Sequence, residues 1–342
     1  MIDKQDKDNQ QPLMVTIRCT VFNHEPYIRK CLEGFVMQKT NFRFEAIVHD
    51  DASTDGSAAI IKEFAEKYPD IIKPIYETEN QYSKHDGSLG RIMREHTHGK
   101  YVAFCEGDDY WTDPLKLQKQ VDIMEQHPEY SMCCCRAKLY SEKKKDFIGE
   151  QRCSKRNGIL RDKDVILNGG LYIATCGILS RRELYNSPKY NVSYISNCHV
   201  GDYPLQMFMA MQGPVFYFDE PMAVYRVENS TSWTGHNDIK KITSAKINGF
   251  ISEIKMLEGF ANDYPKYQSY FKTRICYYMN SQYILELDKE SLERLNLAFA
   301  EYNKYRNLFW KLDYVFRVHG IAFTKAFSAR AFGKLFRLYT QF

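Results

Sequence analysis

The stretch that decides the fold is Cys105-Glu-Gly-Asp-Asp-Tyr-Trp-Thr-Asp-Pro-Leu115. It follows the apolar run Tyr101–Phe104 and places the carboxylates of Glu106, Asp108 and Asp109 directly after that run. Like charges grouped at the end of a buried strand repel one another unless a cation or a hydrogen-bond donor offsets them. Hard divalent cations take carboxylate oxygens as ligands. The stretch therefore indicates a strand that ends in a Mg2+ or Mn2+ site for a diphosphate, with an ordinary helix-capping turn as the alternative.

The residues on the N-terminal side of this stretch alternate between short apolar runs and helical apolar spacing. Strands are predicted at 14–21, 44–48, 71–76 and 101–105, and helices at 27–38, 57–68, 91–98 and 114–127. This alternation predicts an α/β fold with a mainly parallel sheet covered by helices on both faces. In such sheets, ligands bind beyond the carboxyl ends of the strands.

A second polar turn, His49-Asp-Asp-Ala-Ser-Thr-Asp-Gly56, follows the predicted strand 44–48 and therefore reaches the same rim. A helix N-cap explains one oxygen-bearing side chain in this turn. Several such side chains in succession favour recognition of a nucleoside, in which a carboxylate accepts from a base N–H or from ribose hydroxyls. The N-cap and the nucleoside site both remain open at this point.

The second half of the chain is less regular. Strands are predicted at 132–135, 173–180, 215–219 and 223–227, and a helix at 202–211. Helical spacing dominates from about residue 238 to the end. The predicted organisation is a disordered lead-in (1–12), an α/β domain (13–237) and a helical C-terminal region (238–342).

Two features of this half bear on chemistry. Asp202 precedes Tyr-Pro, which is an N-cap pattern, and it gains a functional meaning only where a transfer reaction needs a general base. Arg226 and the loop Ser230–Gly235 suggest a lid, in which Trp233 covers a sugar and Arg226 meets phosphate. An ordinary surface loop is the alternative.

Composition excludes several function classes. The net charge is +4, from 47 basic and 43 acidic residues, and this near balance argues against a nucleic-acid partner. The ten cysteines include no CxxC pair, which argues against zinc. Free cysteines and the lack of an apolar leader predict a cytoplasmic protein, and no apolar run is long enough to predict a spanning helix. P-loop, Rossmann and nucleophile-elbow motifs are also missing.

The C-terminal end carries a local basic excess, because no Asp or Glu follows Asp313. Arg330, Lys334 and Arg337 share one face of a predicted helix, beside a broad apolar face. A basic amphipathic helix of this kind binds an anionic leaflet, here the inner face of a membrane, as a peripheral contact. Packing on the domain or in a homo-oligomer explains the pattern equally well.

Taken in order, the motifs resemble those of the family 2 glycosyltransferases, which have the GT-A fold. The matching segments are Val15-Thr-Ile17 to Asn23, Ile47 to Gly56, Gly99-Lys-Tyr-Val102, Glu106-Gly-Asp-Asp109 and Gly201-Asp202. They extend over roughly residues 14–235, so the C-terminal hundred residues or so fall outside the resemblance. Their order and spacing are more specific than any one of them.

The resemblance implies a role for each matching side chain. The implied nucleotide-sugar ligands are Thr20, Phe22, Asn23, Asp51, Arg91 and Asp108; the implied metal ligands are Asp108, Asp109 and Glu106; the implied catalytic base is Asp202. One departure concerns the metal, because the first acid of the DxD-like triplet is Glu106 rather than Asp. The chain also lacks QxxRW, which favours transfer of single sugars over processive synthesis.

The implied function is inverting transfer of a sugar, with Mn2+ or Mg2+ as cofactor. The donor would be a nucleotide sugar, with a UDP-sugar favoured, and the acceptor a hydroxyl of a saccharide or lipid-linked glycan in surface glycan biosynthesis. Two alternatives remain at this stage. A nucleotidyltransferase would need a glycine-rich basic loop near the N-terminus, where residues 15–27 contain no glycine and, after the strand residue Arg18, only His24. A non-catalytic sugar-nucleotide or glycan-binding module would need no intact acids.

Overall fold

The computed structural model describes residues 11–84, 86–229 and 244–281, together with the single residues 293, 297 and 300. The chain divides into two units, residues 1–237 and 238–342. The first unit contains a ten-stranded sheet, and the described part of the second is helical. Three predicted features lie outside the described residues: the first ten residues of the lead-in, Trp233 and the basic C-terminal helix.

One mixed sheet organises the first unit, in the order β3-β2-β1-β4-β9-β6-β10-β5, with β7 paired to β6 and β8 paired to β10. Its strands are β1 (Leu13–Val21), β2 (Arg43–Asp50), β3 (Ile72–Tyr76), β4 (Tyr101–Phe104), β5 (Tyr110–Trp111), β6 (Met132–Ser141), β7 (Asp146–Gln151), β8 (Gly158–Leu160), β9 (Leu179–Arg181) and β10 (Val215–Val227). The sheet is parallel from β3 to β4, as predicted. The second half adds short antiparallel strands around the parallel pair β6–β10.

Helices connect the strands of the first unit and cover the sheet. They are α1 (Glu25–Val36), α2 (Ser57–Lys67), α3 (Ser88–Glu95), α4 (Lys116–Gln126), α5 (Asp162–Asn168), α6 (Arg182–Tyr185), α7 (Ser193–Ser196) and α8 (Asp202–Gln212). The α/β class and the GT-A arrangement predicted from the sequence are confirmed.

The core forms where the N-terminal strands meet their helices. Val15, Ile17 and Cys19 of β1 are fully buried, and they pack with Leu32 and Phe35 of α1. A parallel strand that is covered on both faces has a nearly continuous apolar sequence. This is why β1 could be predicted from the sequence. The result is a rigid support whose carboxyl-end rim carries the polar turns.

Three predictions for the second half need correction. The predicted strand 173–180 is mostly a turn of 3₁₀ helix, and only its end enters β9. The two predicted strands 215–219 and 223–227 are one strand, β10, whose pairing with β6 shifts register at Pro221 because proline donates no ladder hydrogen bond. The strand predicted at 132–135 continues as β6 to Ser141.

The described part of the second unit consists of α9 (Ser244–Asp263) and α10 (Gln268–Ser281). The rings of Phe260 and Phe271 stack between these helices, with centroids 5.6 Å apart. Within the described ranges, the chain contains no helix that combines the length and the apolar character needed to cross a bilayer.

Candidate active site

The loops after β1, β2 and β4 lie side by side at the carboxyl-end rim. The backbone N–H of Asp51 donates to the carbonyl of Val21 at 2.8 Å, and the N–H of Gly107 donates to the carbonyl of Thr20 at 3.0 Å. These bonds tie both polar turns to the end of β1. The expectation that the two turns share one rim is therefore met by direct backbone contacts.

Gly107 allows the acidic turn to lie tightly on β1. A Cβ at this position would come within 2.8 Å of both His24 Nδ1 and Val21 Cγ2, which is closer than side chains approach one another. Only glycine leaves this space empty. The turn therefore has a fixed position relative to the loop after β1.

Asp51 is buried, with 3% of its surface exposed, and it organises the loop after β3. Its two carboxylate oxygens accept the backbone N–H groups of Gln81, at 2.6 Å, and Tyr82, at 3.0 Å. Tyr82 is 51% exposed, as is 41% of Phe22 in the loop after β1. Two large aromatic side chains thus stand open to solvent near Asp51, and Tyr82 is one that the sequence did not indicate.

Asn23 ties the loop after β1 to the loop after β2. It adopts a left-handed conformation, with φ of 54°, which asparagine tolerates better than most residues. Its side-chain oxygen accepts the N–H of Thr54 at 2.8 Å, while its own N–H donates to Ser53 Oγ at 2.9 Å. The described contacts make Asn23 a brace that positions Phe22 beside it.

The acidic pair is held by the end of β10. The backbone N–H of Arg226 donates to Asp109 Oδ1 at 2.8 Å, and the side-chain amide of Asn229 donates to Asp108 Oδ2 at 2.9 Å. The other oxygen of Asp109 is buried and receives no N–H or O–H from the described residues; only the thiol of Cys176 approaches it. Burial, with repulsion from Asp108 next, raises the pKa of Asp109 well above its usual range.

Glu106 faces a different set of partners. Thr20 Oγ1 donates a hydrogen bond to Glu106 Oε2, and Arg18 lies close enough for its charge to act on the carboxyl. Burial raises the pKa of Glu106, and Arg18 opposes that rise. Within the described residues, no three carboxylate, imidazole or thiol groups are placed to hold one metal ion. The predicted three-acid set therefore does not converge, because Thr20 and Arg18 engage Glu106.

Asp202 is the first residue of α8, and its Oδ1 accepts the N–H of Tyr203 at 2.7 Å. A Cβ at Gly170 would lie 3.1 Å from Asp202 Oδ2, so glycine there leaves this oxygen room. Burial raises the pKa of Asp202, and the N–H of Tyr203 partly offsets that rise. The Asp202 charge also raises the pKa of Glu106, so Asp202 lies near the acidic turn.

Tyr225 is a second rim residue that the sequence did not indicate. It precedes Arg226 in β10 and packs against the main core. Burial raises the pKa of its phenol, and the charges of Asp109, Asp108 and Asp202 add to that effect. Its hydroxyl therefore stays protonated among the rim acids at neutral pH. Tyr225 and Asn229 lie at the carboxyl end of an apolar strand, as do the acids of the two turns that were predicted from the sequence. Their position at a strand end is the signal that could have indicated them.

Arg91 does not reach this cluster by any described contact. It lies in α3, where its Nη1 donates to the carbonyl of Asp86 at 2.8 Å, and its side chain is 54% exposed. The helix begins at Ser88, earlier than predicted, and this places Arg91 on its outer surface. The described contacts give Arg91 a role in its own loop.

Arg226 belongs to a strand rather than to a lid. Its side chain is 8% exposed, and its Nη1 donates to Glu142 Oε1 at 2.7 Å. The guanidinium lies over the rings of Tyr110, Tyr27 and Tyr140, at 4.7, 5.2 and 5.7 Å from their centroids. Stacking and ion pairing hold this residue inside the domain, and residues 230–235 of the predicted lid lie outside the described residues.

Comparison with known proteins identifies the family and the fold of the chain. The family described as glycosyl transferase family 2 matches residues 16–187, half of the chain. The uncharacterized protein Rv1520 of Mycobacterium tuberculosis is 33% identical over 238 residues, which cover 69% of this chain and 65% of that protein. The chain thus spans slightly less than two thirds of the length of this relative.

Two solved structures share the fold. S. aureus TarS 1–349 in complex with UDP has a TM-score of 0.60 at 13% identity, covering 86% of this chain and 81% of that one. The mannosyltransferase PcManGT from Pyrobaculum calidifontis, in complex with GDP-Man and Mn2+, has a TM-score of 0.53 at 16% identity, covering 89% and 79%. Identities this low establish the fold alone, which is the GT-A fold of nucleotide-sugar transferases. The family match shows that the chain belongs to glycosyl transferase family 2.

Proposed function

We propose that this protein transfers a single sugar from a nucleotide diphosphate sugar to an acceptor hydroxyl, with inversion at the anomeric carbon. The observation that carries the proposal is that Asp202, an acid with a raised pKa, lies near enough to Glu106 and Tyr225 for its charge to act on them, as the charges of Asp108 and Asp109 also do on Tyr225. Such a transfer needs two parts close together: a site that binds the nucleotide and a general base. We assign residues 13–237 to catalysis.

Asp202 would act as the general base. As the acceptor oxygen attacks the anomeric carbon, Asp202 takes the hydroxyl proton, the new glycosidic bond forms, and the bond from the sugar to the diphosphate breaks on the opposite side. One displacement of this kind inverts the configuration. A carboxylate with a raised pKa accepts a proton more readily than an ordinary surface carboxylate, which favours this role.

The acidic pair fits a divalent cation. Asp108 and Asp109 offer carboxylate oxygens, the ligands that Mg2+ and Mn2+ prefer, and Asp109 Oδ2 is buried without an N–H or O–H donor among the described residues. When bound, such an ion would neutralise the departing diphosphate. Glu106 would accept the hydrogen bond from Thr20 rather than bind the ion. Asn229 would orient Asp108.

The nucleotide would lie across the loops after β1, β2 and β3. Phe22 and Tyr82 would present rings to the base, and the Asp51 carboxylate would fix the loop that carries Tyr82. UDP is the favoured nucleotide, since TarS binds it, whereas the mannosyltransferase binds GDP-Man. The acceptor would be a saccharide or a lipid-linked glycan in surface glycan biosynthesis.

Calorimetric binding of UDP, GDP, TDP and CDP, each with and without Mn2+, tests this proposal. We expect Mn2+-dependent binding of UDP above the other nucleotides, and its loss in Asp108→Asn. Asp122→Asn is the matched control, since Asp122 is an exposed acid of α4 that bonds only to Gln118 among the described contacts. Failure of every diphosphate to bind in the presence of metal would refute the assignment of the rim as a nucleotide-sugar site.

A further inference from the structure

The β6–β7 hairpin extends beyond the covered part of the sheet. Its turn runs from Glu142 to Lys145, and β7 follows as a strand paired only on one side. Every residue from Asp146 to Glu150 is exposed, so β7 is open to solvent on both faces. A strand that buries neither face adds little to the core, and we call residues 142–148 the hairpin tip.

The hairpin tip is basic. Lys143, Lys144 and Lys145 are consecutive and exposed. The Lys145 amine bonds to Glu142 Oε2 at 2.6 Å, and Arg226 bonds to the other oxygen of the same carboxylate. Lys143 and Lys144 form no ion pair with any described residue. The tip therefore has a net charge of +1, from three lysines against Glu142 and Asp146, and it presents the amines of Lys143 and Lys144 to solvent.

The hairpin tip also exposes large apolar side chains. Phe147 is 49% exposed and Ile148 is 45% exposed. Ile148 lies at a β-bulge, because Leu139 pairs with Gly149 while Tyr140 pairs with Phe147. Phe147 packs edge-on against Tyr140, with ring centroids 5.3 Å apart. Scattered exposed apolar residues are ordinary, but two of them beside a run of lysines form the pattern of segments that enter a lipid headgroup region.

The hairpin tip is joined to the candidate active site by direct contacts. The N–H of Glu142 donates to the carbonyl of Val227 at 3.0 Å. Glu142 also holds Arg226, whose backbone N–H bonds to Asp109. A surface that touched the tip would therefore lie next to the rim where an acceptor must enter.

We propose that the hairpin tip docks this protein onto a bilayer that contains anionic lipids. Lys143 and Lys144 pair with the headgroups, while the exposed side chains of Phe147 and Ile148 enter the interface. Charge complementarity selects anionic lipid, and the apolar pair selects a bilayer over a dissolved anion. The inference rests on the proposed function in one respect, because docking would bring the rim to a lipid-linked acceptor.

Co-sedimentation of the full chain with vesicles tests this proposal. The vesicles contain phosphatidylcholine with or without phosphatidylglycerol. We expect binding to the anionic vesicles only, weakening as salt is raised. K143Q/K144Q should bind about 30-fold more weakly, since each lysine near an anionic surface contributes roughly a factor of five. K62Q/K67Q, two exposed lysines of α2, should bind as the wild type does.

A second variant separates insertion from charge attraction. I148S keeps the lysines and removes one exposed apolar side chain, and it should weaken binding about fivefold. Three results would overturn the proposal: no binding of anionic vesicles, binding unchanged in K143Q/K144Q, or a change of oligomeric mass in that variant without a change in vesicle binding. Mn2+-dependent UDP binding, measured without vesicles, reports on the proposed function separately, since neither lysine belongs to the nucleotide site.

Discussion

The Asp202→Asn variant separates the proposed base from nucleotide binding. In the wild type, Asp202 Oδ1 accepts the N–H of Tyr203 at 2.7 Å. Asparagine keeps the shape of the side chain and can still accept this hydrogen bond. It cannot take the acceptor proton. Loss of a general base lowers turnover by about 10²- to 10⁴-fold, which is roughly 3–5.5 kcal/mol of transition-state stabilisation. The affinity for UDP with Mn2+ should stay within about threefold, because Asp202 bonds to neither Asp108 nor Asp109 in the described contacts.

The same substitution should raise stability at neutral pH. The folded pKa of Asp202 lies above its unfolded value, chiefly because of burial. An acid of this kind contributes stability below its unfolded pKa, and the contribution is lost as the pH rises through the folded pKa. At neutral pH the ionised Asp202 is therefore a cost that asparagine removes. We expect Tm to rise while turnover falls.

Asp162→Asn is the matched control. Asp162 is also the first residue of a helix, and its Oδ1 accepts the N–H of Lys163 at 2.8 Å, as Asp202 does with Tyr203. The assay measures sugar transfer and UDP affinity for the wild type and both variants, with transfer followed as a function of pH. Activity of the wild type should fall as the pH drops through the pKa of Asp202. Retention of turnover within about threefold in Asp202→Asn would refute the assignment of the base.

Two further substitutions test how β10 supports the site. Asn229→Ala removes the amide that donates to Asp108 at 2.9 Å. Mn2+-dependent binding of UDP, measured by calorimetry, should weaken about tenfold. An unchanged affinity would show that Asp108 does not need the hydrogen bond from Asn229. Glu142→Ala leaves the Arg226 guanidinium buried without its carboxylate, and it should lower the free energy of unfolding by about 3 kcal/mol in urea. Glu150→Ala breaks the more exposed pair with Arg136 and should cost less than about 1 kcal/mol, so equal losses would contradict the assigned burial.

The sequence predicted the elements whose environment leaves a pattern. β1, β2 and β4 contain runs of buried apolar residues, and the bounds of β1 to β4 fall close to those predicted. β7 was missed for the opposite reason. It is exposed on both faces, so neither continuous nor alternating apolar residues mark it, and only its pairing with β6 makes it a strand. The continuation of β6 to Ser141 depends on its pairing with both β10 and β7.

The sequence could predict the part of the site that consists of acidic residues at the ends of strands. Asp51, Asp108 and Asp109 could be placed on one rim because parallel strands end together, whereas Asp202 was indicated only by the family resemblance. The partners of these acids could not be predicted in the same way. Asn229 lies 121 residues from Asp108 along the chain, and only the course of β10 past β5 brings them together. Charge alone also assigned Glu106 to a metal, whereas its contact with Thr20 depends on how the turn lies across β1.

The raised pKa values of the rim acids connect stability to ligand binding. Burial is the largest cause of the rise for Glu106, Asp109 and Asp202 alike. Each acid therefore stabilises the fold when protonated and loses that contribution as the pH rises through its folded pKa. A cation bound at Asp108 and Asp109 would favour their ionised forms and offset the repulsion between them. The gain in stability on adding Mn2+ and UDP should therefore be larger at neutral pH than at mildly acidic pH, as measured by Tm. A gain that did not depend on pH would mean that the ligand binds away from these carboxylates.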